Sequence, residues 1–143
     1  MAEIKNLNLP NGNTYSGEVV NDLPHGQGTL VSSEGVRYEG DFKDGKPEGQ
    51  GTLTQPDGVT YSGAFLDGRF HGQGILLQPG GGRYEGEFRS ARFHGQGSLT
   101  QPDGSRYEGQ FEDGAMSGPG IITLPEGQRI AGRFENGKFF PDK

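Results

Sequence analysis

Apolar and polar residues alternate with period two in short runs along the chain, and the runs recur. In Tyr38-Glu39-Gly40-Asp41-Phe42 the first, third and fifth residues share one side and the two acids the other, which predicts a half-buried strand. Asp44-Gly45 then marks a turn, because glycine accepts the positive φ that tight turns need. Gly51, Leu53 and Gln55 alternate with Thr52 and Thr54 in a second strand. Pro56-Asp57-Gly58 closes the unit, with proline presetting φ and glycine taking the left-handed position. Each unit is thus a β-hairpin, and connections this short make neighbouring strands antiparallel. No stretch carries a helical period.

The unit repeats every 23 residues: Tyr15, Tyr38, Tyr61, Tyr84 and Tyr107 each stand two residues before a glycine, and Ile130 takes the sixth place. Four residues after each tyrosine come Phe42, Phe65, Phe88 and Phe111, with Val19 and Phe134 at the ends. Leu30, Leu53, Leu76, Leu99 and Ile122 share the second-strand position. A period in this range means an array in which each unit covers its neighbour's apolar face. The expected architecture is all-β: an elongated single-layer antiparallel array of stacked 23-residue β-hairpin repeats, curled into a groove. One domain spans 1–143, with a half-repeat at 5–14, repeats at 15–37, 38–60, 61–83, 84–106 and 107–129, and a C-terminal partial or capping repeat at 130–143. Roughly six first strands and six second strands give an array about 55 Å long. Gly40, Gly63, Gly86 and Gly109, between the aromatics, let rings and backbone approach closely or let the sheet curl.

Composition alone argues the other way. Leu, Ile, Val and Phe supply only 29 of 143 residues, and 28 glycines and 9 prolines add to an impression of disorder. The phase of tyrosine and glycine over five units excludes it, since a linker has no reason to keep one. The net charge of −6 works against nucleic acid, whose binding rests on neutralising phosphates. The absence of cysteine removes disulfides and thiolate metal sites. Met1-Ala-Glu-Ile-Lys-Asn6 has no basic and apolar leader pattern, and no apolar run approaches transmembrane length, so a cytoplasmic protein is expected.

The stretch Tyr61-Ser-Gly63-Ala-Phe65-Leu-Asp-Gly68-Arg-Phe70-His71-Gly72-Gln-Gly74, closely repeated from Tyr84 to Gly97, resembles the MORN repeat (membrane occupation and recognition nexus). The resemblance covers roughly residues 7–140. It implies hairpins stacked into an elongated single-layer array with a groove, used as an interaction module; members are protein-binding scaffolds, some dimerise, and a membrane role has been proposed. Glu48 replaces the motif histidine, Ser117-Gly-Pro119 replaces His-Gly-Gln, Asp22 and Ala91 replace turn glycines, and Ile130 replaces tyrosine. Ala91 therefore suggests a distorted turn in mid-array.

Candidate chemistry is sparse. His71 and His94 occupy equivalent places in adjacent repeats, about 9.6 Å apart at two strand spacings, so they point in parallel and do not converge on a metal; His25 is further away. Glu85 and Glu87 sit about 6.6–6.8 Å apart on one strand face, a glycosidase-like spacing, but beside Arg83 on an open polar face they read as a solvated charge row. A small carboxylate hydrolase is the minor alternative. Gly72-Gln-Gly74 has no helix start to bind phosphate. No catalytic residue, metal site or cofactor is expected.

Three surfaces could meet a partner. The first is the aromatic groove of Tyr38, Phe42, Tyr61, Phe65, Tyr84, Phe88, Tyr107 and Phe111 with Leu53, Leu76 and Leu99, suited to a peptide or amphipathic segment, although such rings mostly bury one another. The second is a turn edge carrying Lys43, Lys46, Arg69, Arg89 and Arg92, diluted by Asp44, Glu48 and Asp67, which could meet an anionic lipid. The third is the array ends, where unpaired backbone invites a homodimer and Phe139-Phe140-Pro141 folds back as a plug or meets a second copy. The leading reading is a non-enzymatic protein-interaction scaffold that binds a partner segment along the groove. The alternative is a peripheral membrane or phosphoinositide-binding module using the basic edge.

Overall fold

Short connections set the fold, tight turns within each repeat and slightly longer ones between repeats, because they leave no room for anything but antiparallel pairing of adjacent strands. In the computed structural model residues 3–142 are described; Met1, Ala2 and Lys143, which the single-domain reading also takes in, lie outside them. The strands are β1 (Glu3–Asn8), β2 (Thr14–Val20), β3 (Leu23–Val31), β4 (Arg37–Lys43), β5 (Lys46–Thr54), β6 (Thr60–Leu66), β7 (Arg69–Leu77), β8 (Arg83–Arg89), β9 (Arg92–Thr100), β10 (Arg106–Glu112), β11 (Ala115–Thr123), β12 (Arg129–Glu135) and β13 (Lys138–Pro141). They form one open 13-stranded sheet in strict sequence order, every pair antiparallel. A single 3-10 turn, Pro10–Gly12, joins β1 to β2. The count exceeds the expected twelve because Lys138–Pro141 is a strand: Phe139 lies opposite Phe134, so the segment extends the sheet and does not plug it.

Within each repeat the tight turn has positive φ at both central residues, as in Asp44 (49°) and Gly45 (87°), which is the type I′ geometry matched to strand twist. Ser90 (49°) and Ala91 (68°) adopt the same geometry. The Ala91 N–H donates to the Phe70 carbonyl at 3.0 Å, as Gly45 and Gly68 donate to Pro24 and Pro47. The turn is therefore not distorted, contrary to expectation; neighbouring strands and this cross-repeat bond hold alanine in a left-handed conformation that costs about 1–2 kcal/mol.

Register lays the apolar face out in rows across the strands. Tyr38 stands opposite Leu53 and Leu53 opposite Tyr61, so tyrosine and leucine alternate. Next comes an unbroken row of glycines: Gly28, Gly40, Gly51, Gly63, Gly74 and onward to Gly132. Each tyrosine ring lies over this row. A Cβ on Gly74 would fall 2.4–2.6 Å from the Tyr61 hydroxyl, Cε1 and Cζ, so no side chain fits beneath the ring. Beyond the glycines, Asp41 faces three residues, Glu48-Gly49-Gln50, in a bulge, and Gly49 takes the positive φ of 101° that it requires. The His-Gly-Gln motif occupies this bulge in other repeats.

Phenylalanines fill the space between tyrosines. Phe65 meets Tyr61 of its own repeat at 5.1 Å and Tyr38 of the preceding one at 4.8 Å, both edge-on, and Phe88 does the same with Tyr84 and Tyr61 at 5.0 Å each. Each such pair adds about 0.5–1.5 kcal/mol beyond area burial. Among the described residues eleven side chains from this one face, Tyr15 to Phe134, form the buried core, and no second layer covers them. Within this single sheet the rings hide one another, each closed in by rings of the repeats beside it.

Two substitutions check this account. Gly74→Ala should cost about 2–3 kcal/mol, because the methyl displaces the Tyr61 ring. Ala91→Gly should add about 0.5–1 kcal/mol by relieving left-handed strain, less the glycine's own entropy loss. Urea unfolding midpoints measure both; a neutral Gly74→Ala would contradict the ring-over-glycine packing.

Candidate functional site

Burial decides what the aromatic face can offer. Tyr38, Phe42, Tyr61, Phe65, Tyr84, Phe88, Tyr107 and Phe111 are only 0–4% exposed, so the eight rings form the core and do not line an open groove. Contact falls to the partly buried fringe packed over them: Leu53, Leu76 and Leu99, and also Phe70, Phe93 and Met116. Phe70 stacks on Tyr61 and Phe93 on Tyr84, each at 3.9 Å between ring centres and within 10° of parallel. These flat stacks seal the middle of the array.

The seal changes in the next repeat. Met116 takes the place that Phe70 and Phe93 hold, opposite Phe111, and a flexible thioether cannot cover Tyr107 as a ring does. A cleft of about 160 Å³ lies here among Tyr107, Met116, Ile122 and Phe134, with Gln101, Ser105 and Arg106 at its rim. Only cross-strand register shows that Met116 and Phe134 converge on Tyr107. The sequence signal was one departure, methionine after the phenylalanines of the two preceding repeats.

The tyrosine hydroxyls are committed to structure. Each donates to the backbone carbonyl three residues on: Tyr15 to Glu18, Tyr38 to Asp41, Tyr61 to Ala64, Tyr84 to Glu87 and Tyr107 to Gln110, at 2.5–3.0 Å. Burial away from water pushes Tyr38, Tyr61 and Tyr84 up to about 12 and raises Tyr15 and Tyr107 as well.

The turn edge gathers some of the expected cations and separates others. Arg69, Arg89 and Arg92 line one depression of about 440 Å³ with Ser90, His94, Glu112 and Asp113. Lys46 lines the adjoining one with Arg69 and His71, and Lys43 lies directly opposite Lys46. Among the described residues no cluster of three or more histidine or acidic side chains is placed to hold a metal. The His25 Nδ1 accepts the Asp44 N–H at 3.4 Å. Glu85 is exposed and pairs with Arg83 at 3.0 Å, and the Glu87 carboxylate lies against the bulge glycine Gly95.

The ends are unequal. Pro141, in the last strand β13, has no N–H to offer a further strand, whereas β1 presents Glu3 and Lys5 beside an Ile4 that is 78% exposed. Among the described residues no helix is long and apolar enough to cross a membrane.

Comparison with known proteins gives a family and a structural likeness. The family profile described as MORN repeat matches residues 15–37, 38–60, 61–83, 84–106 and 107–129. A search of curated protein sequences found no match. Among solved structures the chain is similar to "SAS-4 (dCPAP) TCP domain in complex with a Proline Rich Motif of Ana2 (dSTIL) of Drosophila Melanogaster", at 14% identity and a TM-score of 0.45, covering 98% of this chain and 90% of that one.

Buried tyrosines make stability depend on alkaline pH. Unfolded, these phenols ionise near 10; folded, Tyr38, Tyr61 and Tyr84 stay protonated to about 12. Between those values the unfolded chain releases protons that the folded chain keeps, so stability present below about pH 10 should fall as pH rises toward 12. Urea midpoints from about pH 9 to 11.5, with tyrosinate absorbance rising only on unfolding, measure this. A flat midpoint across the window would show that the rings are not sealed from water.

Proposed function

The chain belongs to the MORN-repeat family, and on that premise we propose that it is a non-enzymatic protein-interaction scaffold that takes a partner segment along its aromatic face. The supporting observation is the apolar cleft at Tyr107, Met116, Ile122 and Phe134, beside a fringe of half-buried leucines and next to the two repeats that ring stacks close. A single apolar side chain of the partner enters the cleft, and flanking residues run across Leu99, Leu76 and Leu53. The rim of Gln101, Ser105 and Arg106 offers polar groups to the partner's backbone. Rings already locked by their neighbours lose little entropy when a partner arrives, which favours binding.

Catalysis is no part of this reading. The carboxylate with the most suggestive spacing, Glu85, is already engaged by Arg83 in solvent, and the tyrosine hydroxyls are held by backbone carbonyls. The reading places the protein in the cytoplasm, where a chain without cysteine needs no disulfide.

The test uses short peptides selected by display on the whole chain and measured by fluorescence anisotropy. Met116→Phe should restore the ring stack of the preceding repeats, close the cleft and leave the fold intact. Leu99→Asp should place a charge in the binding track. Each is expected to weaken peptide binding at least about tenfold, or about 1.4 kcal/mol. Peptides that bind both variants as tightly as the parent chain would refute the proposal.

A further inference from the structure

The turn between β8 and β9 carries a like-charge pair and departs from its neighbours at both central residues. Arg89 and Arg92 flank it and stand directly opposite one another, a like-charge pairing that destabilises a hairpin and that only Lys43 and Lys46 repeat among the described turns. The turn acid found at Asp44, Asp67 and Asp113 is replaced by Ser90, so the counter-charge is missing where it is most needed. Ala91 stands where glycine would relieve strain, with φ of 68°. Rule-breaking concentrated at one exposed site points to a ligand more readily than to stability.

We propose that the depression formed by Arg69, Arg89 and Arg92 beside Ser90 binds a phosphate monoester carried on a flexible segment of a partner protein. The three guanidinium groups come from three successive strands, β7, β8 and β9. The bond from the Ala91 N–H to the Phe70 carbonyl pins the turn against β7, the strand that begins at Arg69. Among the described residues none of the three arginines makes an ion pair. By contrast Arg37, Arg83, Arg106 and Arg133, on the same polar face, each pair with a glutamate two residues on, at 2.7–3.5 Å. The Ser90 hydroxyl adds a donor, and the wall carries His94, whose buried Nδ1 has no hydrogen-bond partner.

Charge and shape favour a point anion over a membrane. A phosphate monoester concentrates about −1.5 to −2 charges on three oxygens, which guanidinium forks meet in pairs. A planar anionic surface would also confront Glu112 and Asp113 on the same rim, on a chain of net charge −6. A single phosphate entering the 440 Å³ depression can reach the arginines and leave those carboxylates in water. The site lies on the polar face of the strands, opposite the aromatic rows, so it stands whether or not the cleft at Met116 binds a peptide.

Backbone-amide NMR on the whole chain tests the proposal with four probes: inorganic phosphate, a glycine–serine peptide with one central phosphoserine, its unphosphorylated twin, and phosphatidylcholine vesicles containing phosphatidylserine. Saturable shifts centred on Ser90 and Ala91 are expected with phosphate and phosphopeptide at constant ionic strength, and none with the twin. Arg89→Gln with Arg92→Gln should weaken this response at least about tenfold. Ser90→Asp, which returns the acid found in neighbouring turns, should do the same without touching an arginine. Equal responses to phosphopeptide and twin, or a response unchanged in both variants, overturns the site. So does binding to vesicles alone.

Discussion

Everything in this fold follows from laying a tyrosine ring flat over a pair of facing glycines. The ring fits because both positions lack a Cβ, and it is held because its hydroxyl reaches the carbonyl at the bulge, as Tyr61 does to Ala64 at 2.8 Å. That contact settles the register, since a slip of one residue would place a side chain under the ring. It also sets the packing: rings that lie down over glycine leave room for phenylalanine edges between them. No second layer is needed, so the core grows in one dimension and each repeat answers only to its neighbours.

The rows were legible in the sequence because a period of two within strands and of 23 between them are both chain-local quantities. What escaped were properties of contacts between strands. That the rings mostly bury one another could be read from their spacing, but how little of Tyr61 or Phe88 stays exposed depends on the rings of neighbouring repeats. Ala91 suggested a distorted turn because propensity is a property of one residue, whereas the cross-repeat bond to Phe70 that holds it is not. Phe139-Phe140-Pro141 reads in sequence as a plug or a contact for a second copy, and only pairing with Phe134 and Arg133 makes it a strand. The basic edge was visible as a list of cations, but not that three of them share one depression and Lys43 stands apart.

The same architecture explains why variation is informative here. Tyrosine, glycine and phenylalanine positions are bound by mutual packing, so a change there is paid in stability. The second-strand position opposite Val19 or a phenylalanine is freer: it holds Pro24, Pro47, Phe70, Phe93, Met116 and Phe139 in turn, each a different cover for the aromatic row. The residues flanking the tight turn are freer still, running from Val20 and Leu23 through Lys43 and Lys46 to Arg89 and Arg92, then Glu112 and Ala115.

Those two columns face opposite sides of one thin sheet, and this separates their consequences. A ring replaced by methionine alters the aromatic face without disturbing the turn edge, and an arginine pair gathered at a turn leaves the ring ladder untouched. A globular core would couple the two through shared packing; an array one layer thick does not. Distinct surfaces can therefore be tuned repeat by repeat on a scaffold whose stability is set elsewhere, in the glycine row between them.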